Sequence, residues 1–239
     1  MIHYSYFKNV NSKITILLLH GWGVTSSYME SLKDYLLKDY SVLLVDLPGH
    51  GKSILERPYT VNDYIDELFL IVNKEKIDKL YGIGHSFGGK LLSYYCLKYK
   101  IDGVIVIAPS TIKPRFSLFK FMKIRLFKIF RKLRLPMPSF LQGSRDFKKT
   151  SGIKRETFLN VCNSYLDKKE LRKIKIPYLI IGFKDDKEVR LYQVEKLKKY
   201  VPGSKLFIYN GNHFSYFDYY FEIKKLILLL NRRQLWFMY

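Results

Sequence analysis

Six short apolar runs recur along the chain, each too short for an ordinary helix and most of them rich in β-branched residues. Ile14–Leu19 reads ITILLL, 42–45 ends at Asp46, and Gly103–Ile107 reads GVIVI; 79–83, 178–181 and 206–209 complete the set. Between them lie segments with helical spacing at 27–37, 61–73, 87–98, 188–199 and 219–231. A run apolar on both faces is a strand covered on both sides. Alternation with helices therefore predicts an α/β fold with a mostly parallel central sheet flanked by helices. In such sheets ligands bind at the carboxyl ends of the strands.

One interval breaks the alternation. The stretch between 107 and 178 is too long for one crossover, and its composition turns toward Lys, Arg and Phe. It predicts an inserted helical cap over 111–170, with 1–110 and 171–239 forming one core. A chain of 239 residues can close a single core without dividing. The N-terminal stretch MIHYSYFKNVNSK lacks a leader's apolar run, and no uncharged apolar segment is long enough to span a bilayer, so a cytoplasmic location is expected. Cys96 and Cys162 have neither metal-ligand nor disulfide-framework spacing and read as free thiols.

After the run at 79–83 the chain reads GHSFGG over 84–89 and then takes up helical spacing. Gly84-x-Ser86-x-Gly88 between strand and helix sets one hydroxyl on a tight turn, where a Cβ on either flank would meet backbone. It also aims the helix N-terminus, led by the Phe87 amide, at whatever Ser86 attacks. Two other glycine readings fail: GHGKS at 49–53 lacks the leading glycine of a phosphate loop, since Asp46 stands there, and a dinucleotide fingerprint from Gly82 needs glycine where Phe87 sits.

Together with His20-Gly21-Trp22-Gly23 after the first run and Asp46-Leu47-Pro48-Gly49-His50-Gly51 after the second, this turn resembles the α/β-hydrolase superfamily, motif by motif and in the family's order. The resemblance covers nearly the whole chain. It implies an α/β-hydrolase fold, Ser86 as nucleophile, and an oxyanion hole formed by the backbone amides of Trp22 and Phe87. The family's acid follows the next-to-last strand, where GFKDD at 182–186 favours Asp185, three residues past the glycine, with Asp186 as the alternative. Its histidine follows the last strand, which selects His213 in NGNHF as general base. Many members carry a proline near the start of the following helix; this chain instead reads DKEVRL from Asp186. Of the remaining histidines, His20 and His50 belong to turns and orient loops, His85 occupies a variable position of the elbow, and His3 lies near the start. The implied reaction is hydrolysis of a carboxylic ester or thioester through an acyl-enzyme, with no metal or organic cofactor. Amide or carbon–carbon bond hydrolysis on the same groups, or a non-catalytic ligand-binding protein, are the alternatives.

The formal net charge is +21. Part of it reflects the abundance of Lys, Ile, Tyr, Phe and Asn expected of an AT-rich genome, but part is local. From 113 to 134 the chain reads KPRFSLFKFMKIRLFKIFRKLR, and no Asp or Glu occurs between Asp102 and Asp146. Phe119, Met122, Leu126, Ile129 and Leu133 share one helical face, with Lys120, Lys123, Arg131 and Arg134 toward another. This basic amphipathic helix admits three readings: a lid laying its apolar face over the active site, a contact for anionic lipid headgroups, or a dock for an acidic partner such as an acyl carrier protein presenting its acyl ester. Specific nucleic-acid binding is not expected, because no recognition fold accompanies the charge. The tail 235–239, LWFMY, reads as packing against the sheet.

Overall fold

The computed structural model describes residues 2–136, 138 and 145–231, leaving out the side chains of 120, 145 and 146. The apolar tail and the Lys120 side chain thus lie outside the described residues.

The six runs form strands, joined by a seventh at the N-terminus: β1 (Tyr4–Phe7), β2 (Ile14–Leu19), β3 (Ser41–Val45), β4 (Lys79–His85), β5 (Gly103–Ile107), β6 (Tyr178–Phe183) and β7 (Lys205–Tyr209). They make one sheet in the order β1-β3-β2-β4-β5-β6-β7. Every pairing is parallel except that of β1, which runs antiparallel to β3 with Tyr4 opposite Val45. β1 is half-exposed at the edge, so it carries no continuous apolar run by which it could be recognised. Strands β3, β4, β5 and β6 are buried almost throughout, as covered parallel strands require.

Flanking helices are α1 (Glu30–Leu36, led in by a 3-10 turn at Ser26–Met29), α2 (Val61–Lys74), α3 (Phe87–Lys98), α8 (Leu191–Tyr200) and α9 (Tyr220–Asn231); α4 (Leu118–Lys132), α5 (Arg145–Lys148), α6 (Gly152–Asn163) and α7 (Lys168–Leu171) lie between β5 and β6. α2 shows how such a helix is specified. Thr60 Oγ1 accepts the Asp63 amide at 3.3 Å while the Asp63 carboxylate accepts the Thr60 amide at 2.7 Å, closing a capping box. Beyond it, Val61, Tyr64, Ile65, Leu68, Ile71 and Val72 place one buried stripe in the core, where Tyr64 meets Phe87 of α3.

The segments inserted between β5 and β6 behave differently from one another. α6 is seated on the core: Thr157, Phe158 and Val161 are buried, Thr157 Oγ1 accepts the Tyr59 amide at 3.0 Å, and the buried Lys90 Nζ of α3 donates to the Val161 carbonyl at 2.9 Å. α4 has no buried residue among those described. Its apolar residues face solvent, with Phe119 77% and Leu118 64% exposed. The reading of α4 as a lid with its apolar face turned inward is therefore corrected. The element that reaches the carboxyl edge of the sheet is α6.

After β3 the chain returns on the other side of β2 to build β4, so the order reverses between β2 and β4. In open α/β sheets the carboxyl ends of the two strands at such a reversal are where ligands bind. The loop after β2 and the turn after β4 both stand there.

Candidate active site

At the end of β4 the backbone turns sharply. Ser86 sits at φ 51°, ψ −106°, a conformation that costs a non-glycine residue about 1–3 kcal/mol and persists only where the surroundings enforce it. Enforcement comes from three hydrogen bonds: the Ser86 amide donates to the Ile107 carbonyl at 2.8 Å, and the Ser86 carbonyl accepts from Lys90 at 3.1 Å and Ser110 at 3.2 Å. The flanking glycines are required by close approach. A Cβ on Gly84 would lie 2.5 Å from the Gly88 carbonyl, and one on Gly88 would run into the Leu19 carbonyl oxygen at the end of β2. Phe87 opens α3, so its amide is one of the helix's first four donors, which have no intrahelical acceptor.

The turn after β2 is held by histidines acting as neutral acceptors. His20 donates through Nδ1 to the Gly21 carbonyl at 2.7 Å and accepts the Leu47 amide on Nε2 at 3.0 Å. His50 donates through Nδ1 to the Pro48 carbonyl at 3.1 Å and accepts the Gly23 amide on Nε2 at 3.1 Å. Each ring has one donor and one acceptor role filled, which only the neutral imidazole can do. Trp22 stands between the loops, its ring 4.7 Å from His50, 5.5 Å from Phe87 and 5.3 Å from Phe158 of α6. The turn bearing Trp22 and the turn bearing Ser86 are thus packed together under α6.

At the far side, Asp186 receives His213. The His213 Nδ1–H donates to the Asp186 carboxylate at 2.7 Å, and both side chains are buried, Asp186 fully. The other Asp186 oxygen accepts the amides of Glu188 and Val189, each at 2.8 Å. Sequence reasoning placed Asp185 here. The structure corrects that expectation: Asp185 is exposed, and it is Asp186 that meets the imidazole. The physical reason is the turn after β6. The strand continues through Gly182 and Phe183, paired with Ile208 and Tyr209, and the turn brings inward the fourth residue past Gly182, not the third. The Asp185 amide is then spent on the Gly211 carbonyl at 3.0 Å, and the turn closed by Asp186 on Phe183 aims the Asp186 side chain inward. The same amide bonds to Asp186 explain why α8 begins only at Leu191.

His85 is the residue that sequence reasoning undervalued. Its Nε2–H donates to the His213 carbonyl at 2.8 Å, its ring lies 4.6 Å from that of His213, and its Nδ1 would be 3.1 Å from a Cβ on Gly21. Being next to Ser86 in the chain, it ties the elbow to the His213 loop and packs closely on the turn after β2. The only sequence signal was a histidine inside the elbow itself. His213 Nε2, the ring nitrogen not bonded to Asp186, lies 3.5 Å from the exposed Glu188 carboxylate. Among the described residues no three His, Cys, Asp or Glu side chains gather as a metal site.

Burial depresses the basicity of three of these histidines, His20 to about 4 and His50 and His85 to about 3. The unfolded chain protonates them near 6.5, so between that pH and their folded values it binds more protons than the native state, and stability falls as pH falls. Above the unfolded value they contribute no pH dependence. Each should therefore withdraw on the order of 2 kcal/mol between about pH 7 and about pH 5, lowering the urea midpoint. An unchanged midpoint over that interval would contradict the neutral, acceptor role given to these rings.

This fold, with its elbow, its acid after β6 and its histidine after β7, defines an α/β-hydrolase. Residues 16–222 match the alpha/beta hydrolase family, and the chain belongs to it. A pimeloyl-(acyl-carrier protein) methyl ester esterase of Photorhabdus laumondii is 32% identical over 104 residues, covering 43% of this chain and 37% of that protein. The abhydrolase domain-containing protein abhd-5.2 of Caenorhabditis elegans is 33% identical over 120 residues, 45% of this chain and 27% of its own. The matched stretch thus spans well under half the length of these curated relatives. In fold, a lipase-esterase related protein from Clostridium acetobutylicum superposes with a TM-score of 0.74 at 24% identity, over 96% of this chain and 99% of that one.

Proposed function

We propose that the protein is a serine hydrolase that cleaves a carboxylic ester through an acyl-enzyme. The observation that carries this reading is the buried 2.7 Å bond from His213 Nδ1 to Asp186, on a loop that His85, the residue next to Ser86, holds through the His213 carbonyl. A carboxylate that accepts Nδ1–H fixes the tautomer with its lone pair on Nε2 and stabilises the imidazolium that forms. Ser86 Oγ attacks the ester carbonyl while its proton passes to His213 Nε2. The amides of Phe87 and Trp22 receive the oxyanion, each such donor being worth about 3 to 4 kcal/mol in the transition state. The imidazolium then protonates the departing alkoxide, leaving an acyl-Ser86 ester. Water, deprotonated by the same Nε2, attacks that carbonyl, and the carboxylic acid leaves as Ser86 recovers its proton.

Glu188 bears on the leaving group. A carboxylate 3.5 Å from Nε2 disfavours a leaving group that carries negative charge and tolerates a neutral alcohol. The relatives named for a carrier-linked methyl ester act on a substrate of that kind, so the substrate proposed here is a small-alcohol ester of an acyl chain borne on a carrier protein. The test is hydrolysis of methyl, ethyl and phosphate-bearing esters of one acyl chain, free and carrier-linked. The reading expects methyl ester turnover, a preference for the carrier-linked form, and rejection of the phosphate-bearing alcohol that Glu188→Gln relieves. Absence of turnover on every ester by folded protein would overturn it.

A further inference from the structure

α4 is an amphipathic helix that the rest of the described protein leaves uncovered. At 3.6 residues per turn, Leu118, Phe119, Met122, Leu126, Ile129 and Leu133 fall within an arc of about 100°. All six are exposed. Lys123, Arg125, Lys128, Arg131 and Lys132 lie on the remainder of the circumference, interleaved with the exposed Phe121 and Ile124 and the half-buried Phe127 and Phe130, and no acidic residue lies between Asp102 and Asp146 to neutralise them. A helix in water gains nothing by turning a continuous apolar arc outward, and an exposed patch of this kind marks a surface made to be covered. The helix is inserted after the carboxyl end of β5, the same edge of the sheet that carries Ser86.

We infer that α4 lies in the plane of an anionic lipid surface, its apolar arc among the acyl chains and its lysines and arginines at the phosphates. Both halves of the helix are accounted for by this one partner. An acidic protein would answer the basic residues but would also have to bring an apolar groove the length of the helix to meet the arc. A second copy would set two like-charged flanks against each other. A lipid headgroup layer over hydrocarbon presents negative charge and apolar depth at the spacing of one helix radius, and long basic side chains bordering the arc extend to the headgroups while their stems stay in the apolar layer. No helix among the described residues is long and apolar enough to cross a membrane, so the contact is with one leaflet.

The test is co-sedimentation of the full chain with vesicles of phosphatidylcholine alone or mixed with phosphatidylglycerol. The protein should pellet with the anionic vesicles only. Lys128→Ala, Arg131→Ala and Lys132→Ala combined should weaken partition by roughly a hundredfold, about fivefold per charge. Phe119→Ser with Met122→Ser should weaken it by at least about tenfold at unchanged charge. Phe119→Trp should show blue-shifted emission on the same vesicles. Retained helicity and ester turnover of the soluble variants exclude misfolding, and Ser86→Ala should bind vesicles like the parent, which separates this inference from the hydrolase reading. No binding, or binding indifferent to the Phe119 and Met122 changes, would overturn it. So would vesicle binding that survives the triple charge change while hydrolysis of a carrier-linked ester slows, an outcome that assigns the helix to an acidic protein.

Discussion

Asp186→Asn lowers kcat for ester hydrolysis by about four orders of magnitude, while Asp185→Asn leaves it at the parent's level. The asymmetry follows from position alone, because the two carboxylates are adjacent in sequence and opposite in environment. Asp186 is fully buried and takes three donors: the His213 Nδ1–H and the amides of Glu188 and Val189. An amide in its place can turn its NH2 toward Nδ1, which reverses the imidazole tautomer and leaves Nε2 protonated, unable to accept from Ser86. Asp185 is exposed and contributes its backbone amide to the Gly211 carbonyl, an interaction that survives any side-chain change. Steady-state kinetics of the two variants at matched concentrations, with circular dichroism to confirm folding, decide the assignment. Equal losses, or a larger loss at Asp185, would contradict it.

Gly84→Ala removes both turnover and much of the stability, by about 3 to 5 kcal/mol in urea unfolding. The added methyl would sit 2.5 Å from the Gly88 carbonyl carbon and oxygen and 2.7 Å from the Gly89 amide, all backbone, so no side chain can rotate out of its way. Either α3 backs off from β4 or the elbow relaxes. In the second case Ser86 leaves its strained φ of 51° and the hydroxyl is no longer held at the carboxyl edge of the sheet. Gly203→Ala is the appropriate comparison, since it too adds one methyl but meets nothing within 4 Å, so its cost is confined to its left-handed φ of 71°. A Gly84→Ala protein as stable as the parent would show that the close packing of β4 against α3 has been overstated.

Much of the architecture was legible because burial leaves a mark on composition. The runs at 14–19 and 103–107 coincide with β2 and β5, and 87–98 with α3, since covered strands and amphipathic helices must spend their residues in recognisable patterns. β1 escaped because an exposed edge strand, YSYF, needs no such run. Site chemistry was legible to the extent that it was tied to glycines: Gly84 and Gly88 announce the elbow whatever the rest of the chain does. The choice between Asp185 and Asp186 was not, because it turns on how the Asp185 and Asp186 amides are spent on the Gly211 and Phe183 carbonyls, and a count of residues past Gly182 does not register which side chain that turn faces inward. His85 was passed over for a related reason. A clamp on the histidine loop is a contact across 128 positions of sequence, and nothing local foretells it. Nor did periodicity reveal that the apolar arc of α4 faces outward, because pattern shows that a face exists and not what covers it.

The central claim is that the Ser86 hydroxyl is made nucleophilic by His213. Its most direct measurement is reaction with a fluorophosphonate followed by peptide mass spectrometry. A single adduct on Ser86 is predicted in the parent protein, strongly slowed in His213→Ala and in Asp186→Asn, and absent from Ser86→Ala. A folded parent that stays unmodified where a control esterase is labelled, or one whose adduct maps to another residue, would contradict the account.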